Sequence, residues 1–146
     1  MILPGAPDPP LTLLRRPRFW GVAWLGWFAA LTILSSMSQP GPKIEVIGFD
    51  KVVHAVFFAL GGTCLALALV LRQPAAAPLP PRWGRIAAAV ILVGAGVGWL
   101  DEWHQSFTPG RTGLDEYDWL ADVLGSVLAL PMARVVFRRF PGTERT

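Results

Sequence analysis

The sequence predicts an all-α fold, a polytopic bundle of four transmembrane helices, and three observations lead to that prediction. The composition is 53% hydrophobic and only 16% charged over 146 residues, with a mean hydropathy of +0.46. About a quarter of the residues in a soluble domain are usually charged. Four apolar runs approach the ~20 residues that cross a bilayer. Most charged residues lie between or at the ends of these runs.

The membrane domain is predicted over residues 19–137, with spans at about 19–36, 52–71, 83–103 and 119–137. None of the four runs shows the period-2 alternation of a membrane β-strand. The first run is longer than the ~7–15-residue apolar core of a signal peptide, so we expect an uncleaved helix. Residues 1–18 and 138–146 are predicted to be a cytoplasmic N-terminal segment and a cytoplasmic C-terminal tail.

The distribution of Lys and Arg predicts the orientation. One side has ten basic residues, namely Arg15, Arg16, Arg18, Arg72, Arg82, Arg85, Arg134, Arg138, Arg139 and Arg145. The other side has three, namely Lys43, Lys51 and Arg111. Basic residues accumulate in cytoplasmic loops, so both termini are predicted to lie inside and two loops outside. This placement at a membrane surface also argues against a nucleic-acid-binding protein, despite the net charge of +3.

Small residues in three of the spans predict close helix packing. Gly94 and Gly98 have small-xxx-small spacing in the third span, and the Gly61–Gly62 pair lies in the second. Gly125 lies in the fourth span. Membrane helices associate through close contact at small residues because lipid tails are as apolar as the helices. We expect these residues to pack within one chain rather than between copies.

Polar residues are concentrated at the predicted outer ends of three spans. They are Asp50, Lys51 and His54, then Asp101, Glu102, His104 and Gln105, and finally Asp118 and Asp122. Because the second and fourth spans run inward and the third runs outward, all of these residues should converge at one depth. Charged groups near hydrocarbon are costly and are usually paired or line a cavity. The pattern therefore predicts a polar site at the outer face.

Helical spacing predicts the contacts inside this site. Asp50 and His54 are four residues apart, so a hydrogen bond between them is expected. Glu102 and Gln105 share a face, as do Asp118 and Asp122. The Pro109–Gly110 pair predicts a turn that directs Arg111 toward the carboxylates.

Three motifs resemble those of the VanZ-like family of bacterial membrane proteins. They are Asp50-Lys51-x-x-His54, Glu102-x-x-Gln105-x-x-x-Pro109-Gly110-Arg111 and Asp118-x-x-x-Asp122-x-x-Gly125. The resemblance covers roughly residues 48–130. Two features depart from the family pattern: Phe57 and Phe58 stand where a Tyr is common, and Asp122 stands where Asn is common.

The resemblance implies a protein of the bacterial cytoplasmic (inner) membrane that acts in the cell envelope, since the family's namesake is associated with antibiotic resistance to the glycopeptide teicoplanin. We predict that its outer polar site binds a lipid-linked envelope component or a glycopeptide. The predicted binding residues are Asp50, Lys51, Gln105, Arg111, Asp118 and Asp122.

Other functions remain open on the sequence. An enzyme could use His54 and Glu102 as acid/base groups, with Lys51 and Arg111 holding a phosphate. A purely structural cluster would hold the helix ends together through ion pairs. No cofactor is expected, although His54, Glu102 and Asp122, with His104, are an alternative divalent-metal set. A transporter is least favoured because the chain has no internal repeat.

Overall fold

The computed structural model describes residues 13–38, 48–73 and 82–139. In these ranges the chain forms four long helices, which we number α1 (Pro17–Ser35), α2 (Phe49–Leu71), α3 (Trp83–Gln105) and α4 (Glu116–Arg138). All four are long and apolar enough to cross a membrane. The predicted fold class is therefore confirmed, as is the order of the spans. Most of residues 1–18 and 138–146 lie outside the described residues.

Three helices extend beyond their predicted spans at the polar ends. α2 begins at Phe49, α3 ends at Gln105 and α4 begins at Glu116. The predicted spans stopped where the apolar run stopped. The backbone hydrogen bonds of a helix do not depend on side-chain polarity, so the helices continue through the charged residues into the interface. Asp50, Lys51 and Asp118 consequently lie on first helical turns.

The bundle is organised around the pair α2 and α4, which make the most extensive contact. α1 packs mainly on α2, and α3 packs on α4 and less on α2. A buried core at one half of the bundle joins α2, α3 and α4, and it consists of Ala66, Leu67, Val70, Ile86, Val90, Ala129 and Ala133. Large apolar side chains such as Val22, Leu92 and Leu124 remain exposed on the outer surface, as expected for helices in lipid.

Glycines set the spacing between the helices, as predicted. A Cβ on Gly125 would collide with the backbone of Ala55, so α2 and α4 approach each other at backbone distance there. Gly62 faces Ala129 at the same interface, and Gly61 lies under the ring of Trp27 from α1. Gly94 and Gly98 face Ser126 and Asp122 of α4. These small residues therefore pack within the chain.

The antiparallel arrangement gives the bundle two unlike ends. The N-termini of α2 and α4 meet the C-termini of α1 and α3 at one end, which we call the polar end. All of the described Arg residues except Arg111 lie at the opposite end. There the guanidinium carbon of Arg134 lies 5.0 Å from the centre of the Trp83 ring. At the polar end, side-chain atoms of His54, Glu102 and Asp118, from three different helices, lie within 4.8 Å of one another, so the convergence of these three helix ends is confirmed.

Candidate functional site

A group of carboxylates surrounds one lysine and one histidine at the polar end, and we call it the acidic cluster. Its members are Asp50, Lys51, His54, Glu102, Asp115, Asp118 and Asp122. Its rim is accessible, since the side chains of Asp50 and Lys51 are 58% and 31% exposed. Its floor is closed, since Glu102 is 2% exposed and Asp122 is fully buried. The cluster thus extends from water to the inside of the bundle.

Lys51 is surrounded by three carboxylates. Its Nζ lies 2.9 Å from Asp50, 3.0 Å from Asp115 and 2.7 Å from Asp118. Two of these contacts are hydrogen bonds, from Lys51 to Asp50 and to Asp115, and the third is an ion pair with Asp118. The contacts hold the start of α2 against the start of α4. They also surround the ammonium group with negative charge, which disfavours the phosphate-binding role that the sequence suggested.

His54 turns into the bundle and pairs with α4. Its Nδ1 lies 2.9 Å from Asp122 Oδ1, and its Nε2 lies 3.8 Å from Asp118 Oδ2. With Asp122 ionised, its carboxylate can only accept, and Nδ1 is then the donor of the first pair. The predicted bond between Asp50 and His54 is wrong, since Asp50 instead accepts from Lys51. Asp50 lies on the exposed first turn, whereas His54 is one turn deeper, where α4 supplies the carboxylates.

Glu102 is held by the loop that precedes α4. Its Oε2 accepts a hydrogen bond of 2.8 Å from the backbone N–H of Asp115. Its other oxygen, Oε1, is buried and has no hydrogen-bond partner among the described residues, and the same holds for Asp122 Oδ2. A buried acceptor left unsatisfied costs about 1–3 kcal/mol. The floor of the cluster therefore contains two carboxylate oxygens whose hydrogen-bonding capacity the described protein does not use.

The loop between α3 and α4 has the strained backbone that this arrangement requires. Gly113 has a φ of +48°, and a Cβ there would collide with the backbone of Ser106. Leu114 also has a positive φ, of 56°, and its N–H bonds to the carbonyl of Glu102 at 3.2 Å. Non-glycine residues with positive φ are uncommon and concentrate at functional sites. Here the backbone conformation of Gly113 and Leu114 places the N–H of Asp115 within hydrogen-bond distance of Glu102.

Asp115 is also the N-cap residue of α4. Its Oδ1 accepts from the backbone N–H groups of Tyr117 and Asp118, at 2.8 and 3.3 Å. These bonds satisfy donors at the helix N-terminus that have no partner within the helix. The hydrogen bond from Lys51 holds the pKa of the Asp115 carboxyl below its ordinary value.

A second polar network lies beside the acidic cluster, and we call it the Asp101 network. Asp101 accepts from Ser35 of α1 and, at 2.8 Å, from Gln105. Gln105 Oε1 in turn accepts from the Nε of Arg111 at 3.0 Å. Thr108 donates to the carbonyl of Ser35 at 3.0 Å. This network ties the C-terminus of α1 to the C-terminus of α3 and to the following loop.

The placement of Gln105 and Arg111 corrects the prediction for these residues. The turn at Gly110 is confirmed by its φ of +80°, but Arg111 is directed to Gln105 rather than to the carboxylates of the acidic cluster. Glu102 and Gln105 likewise point to different partners. Adjacent helical residues differ by about 100° in direction. Asp101 therefore forms the second network while Glu102 joins the first.

The structure also changes the alternative metal set. His104 is exposed and shares a hydrogen bond of 3.0 Å with Ser36, so it faces α1 rather than His54. Among the described residues, the ligand atoms that come together belong to His54, Glu102 and Asp118, and they lie within 4.8 Å of one another. Asp118 thus takes the place that the sequence gave to Asp122, whose Oδ1 is bonded to His54.

Sequence reasoning missed Asp115 and Ser35 as members of the polar end. A signal was present for Asp115, since an Asp just before a helix is a strong N-cap. Asp101 was grouped with its neighbours but was given no role. For Ser35 no local signal exists, because its role arises from contact with a helix 66 residues away in sequence.

No family model, curated protein or solved structure matches this chain. The VanZ-like resemblance therefore depends on the three motifs alone.

Proposed function

We propose that this chain is a VanZ-like protein of the bacterial inner membrane that binds the headgroup of a lipid-linked envelope component, or a glycopeptide, at its acidic cluster. The observation that carries the proposal is the pair of buried, unpartnered carboxylate oxygens on Glu102 and Asp122. A cluster that only held the helices together would be more stable if both oxygens accepted hydrogen bonds. Buried polar groups left without partners are rare and call for an explanation.

The position of the cluster supports a ligand that arrives from the membrane surface. Its rim at Asp50 and Lys51 is exposed, and its floor lies between the ends of α2, α3 and α4. A headgroup attached to a lipid is held at this depth by its own anchor. We place the polar end on the outer side because the opposite end holds most of the basic residues.

The charge of the cluster indicates which part of such a ligand it would contact. Five carboxylates surround Lys51 and His54, and three of them contact the Lys51 ammonium group. The remaining groups are hydrogen-bond acceptors. They suit hydroxyl, amide and amine donors, as in the sugar and peptide parts of a lipid-linked precursor or in a glycopeptide, better than they suit a phosphate.

The binding proposal is tested by the lipids that co-purify with the full chain. We expect mass spectrometry of the protein extracted in mild detergent to find a sugar- or peptide-bearing lipid on the wild type and on His104→Ala. His54→Ala and Glu102→Gln should lose it. If all four proteins carry only the bulk phospholipids of the host membrane, the proposal is wrong.

A link to glycopeptide resistance is tested separately. Cells that produce the wild type should tolerate a higher teicoplanin concentration than cells that produce Glu102→Gln at the same membrane level. Equal sensitivity would remove antibiotic resistance from the proposal and leave lipid binding untouched.

An acid/base enzyme is the second candidate, and the hydrogen bond between His54 and Asp122 favours it. A carboxylate that holds one ring nitrogen orients the other for proton transfer. An enzyme would change the pattern of envelope lipids in cells that produce the wild type, but not in cells that produce His54→Ala. A binding protein would leave the lipid species the same in both.

A further inference from the structure

We propose that His54, Glu102 and Asp118 bind a divalent transition-metal ion at the floor of the acidic cluster. One ring nitrogen and one oxygen from each carboxylate lie within 4.8 Å of one another. The inference names a ligand of the site proposed above, and it rests on the acidic cluster being a ligand-binding site.

Each of the three residues is held by one atom and offers another. His54 Nδ1 is bonded to Asp122, which leaves Nε2. Glu102 Oε2 is bonded to the Asp115 N–H, which leaves Oε1. Asp118 Oδ1 lies 2.7 Å from Lys51 Nζ, and its Oδ2 is the atom that approaches His54. The three side chains are thus oriented by contacts that do not use the atoms a metal would need.

The contact between His54 and Asp122 is of the kind that accompanies metal-binding histidines. A histidine ligand usually donates its second ring N–H to a carboxylate or carbonyl, which fixes the tautomer and the direction of the ring. Asp122 is fully buried and lies 2.9 Å from Nδ1. In the neutral imidazole Nε2 is then the unprotonated nitrogen, and its lone pair can bind a cation in place of a proton.

The independent observation is the free oxygen of Glu102. The residue is 2% exposed, yet Oε1 has no hydrogen-bond partner among the described residues. A cation supplies the missing partner for this oxygen. It also offsets the repulsion among Glu102, Asp118 and Asp122, which Lys51 neutralises only in part because Lys51 also contacts Asp50 and Asp115.

The distances fit an ion of this size after a small movement. Nitrogen and oxygen ligands bind Zn²⁺ at about 2.0–2.2 Å, so two ligands of one ion lie at most about 4.4 Å apart, and about 3.4 Å apart in a tetrahedral site. The 3.8 Å between His54 Nε2 and Asp118 Oδ2 is within that limit and is too long for a hydrogen bond. From the outer bound of 4.8 Å the ligand atoms would approach one another by at most about 1.4 Å to reach tetrahedral separations.

The ligand types indicate the class of metal. An imidazole nitrogen favours Zn²⁺ and similar transition metals, whereas Mg²⁺ and Ca²⁺ prefer oxygen alone. Three protein ligands leave a coordination position open, as in functional rather than structural zinc sites. The open position would face the accessible rim of the acidic cluster.

The test is Zn²⁺ binding to the purified full chain in detergent after treatment with a chelator. We expect titration calorimetry and elemental analysis to find one ion per chain, and X-ray absorption to show nitrogen and oxygen ligands without sulfur. His54→Ala, Glu102→Gln and Asp118→Asn should each lose this binding. Asp122→Asn, which alters the partner of His54, should weaken it by about 10–100-fold.

Two control variants exclude adventitious binding. His104→Ala removes the other histidine of the chain, and Glu116→Gln removes an exposed carboxylate on the first turn of α4 that lies outside the acidic cluster. Both should retain the ion with unchanged affinity. Loss of binding in His104→Ala, or equal binding by the wild type and Glu102→Gln, would overturn the inference, as would a wild type that retains no Zn²⁺.

The unfolding temperature separates a lost site from a lost fold. Zn²⁺ should raise it for the wild type and leave it unchanged for a folded Glu102→Gln variant. The experiment contains no envelope lipid, so its failure leaves lipid binding to be decided by the co-purification result. A protein that binds Zn²⁺ but retains no envelope lipid would contradict the proposed function and not the metal site.

Discussion

Asp115 connects three parts of the acidic cluster. Its backbone N–H donates to Glu102. One carboxylate oxygen caps the N-terminus of α4 by accepting from the N–H of Tyr117, and the other accepts from Lys51 of α2. A single residue thereby fixes the position of a buried acid, the start of one helix and the start of another. The positive φ of Leu114, immediately before it, is the local backbone strain associated with this placement.

The pKa of Asp115 predicts how its contribution to stability depends on pH. Its hydrogen bond with Lys51 lowers the folded pKa below the ordinary value of 3.8. The stabilisation is therefore present above that value and is lost as the pH falls through the lower folded pKa. We expect wild type and Asp115→Asn to differ in unfolding temperature by a constant amount between pH 7 and 5. The difference should shrink below about pH 4.

Asn keeps the helix cap, so this comparison isolates the charge of Asp115. Asp115→Ala should lower stability further, by about 1 kcal/mol, because it also removes the cap. A difference that disappears by pH 6 would contradict the account, since Asp115 is still ionised there. So would a difference that persists unchanged to pH 2.

α3 shows how one helix serves both packing and the site. Gly94 and Gly98 lie against α4, and a Cβ on Gly98 would lie 2.7 Å from Asp122 Oδ2. Gly96, between them, is on the exposed surface with nothing within 4 Å of such a Cβ. Because Gly98 has no side chain, α3 approaches α4 closely without displacing the Asp122 carboxylate that contacts His54.

The different surroundings of Gly98 and Gly96 predict different effects on stability when each is replaced by Ala. Gly98→Ala should destabilise the bundle by about 1–3 kcal/mol through overpacking against Asp122. Gly96→Ala should be neutral or stabilise it by up to about 1 kcal/mol, since Ala is the better helix former. The unfolding temperature of each variant in detergent measures its stability. Unfolding is monitored through the labelling of Cys64, the half-buried sole cysteine. Equal shifts for the two variants would refute the assigned interface.

Most of the helices and their convergence could be predicted from the sequence, because hydropathy and antiparallel order determine them. The rotation of each helix about its axis could not. Spacing shows that Asp50 and His54 share a face, but not that α4 offers His54 the closer carboxylates. For the same reason, the division between Glu102 in one network and Gln105 with Arg111 in another was not predictable. It depends on which neighbour each face of α3 meets.

The whole molecule is asymmetric along the membrane normal. One end holds the acidic cluster and the Asp101 network, and the other holds most of the arginines around an apolar core. Such an asymmetry is typical of proteins with one fixed orientation, and the basic end is the one expected in the cytoplasm.

This orientation predicts which positions a membrane-impermeant thiol reagent reaches in intact cells. In a Cys64→Ala background, Phe107→Cys at the exposed polar end should be labelled without disruption of the membrane. Arg139→Cys at the basic end should be labelled only after disruption. The reverse pattern would place the acidic cluster in the cytoplasm and would exclude a ligand at the outer face.

We propose that the acidic cluster binds a ligand and does not only hold the helix ends together, and Glu102→Gln tests this proposal most directly. Gln keeps the shape and the acceptor for Asp115 but removes a buried charge. In ligand-free, chelator-treated protein we predict an unfolding temperature equal to or above that of the wild type, because sites held for function are often destabilising. The same variant should lose its co-purifying ligand. A drop in unfolding temperature as large as that of Gly98→Ala, with ligand retained, would show that the cluster only holds the helices together.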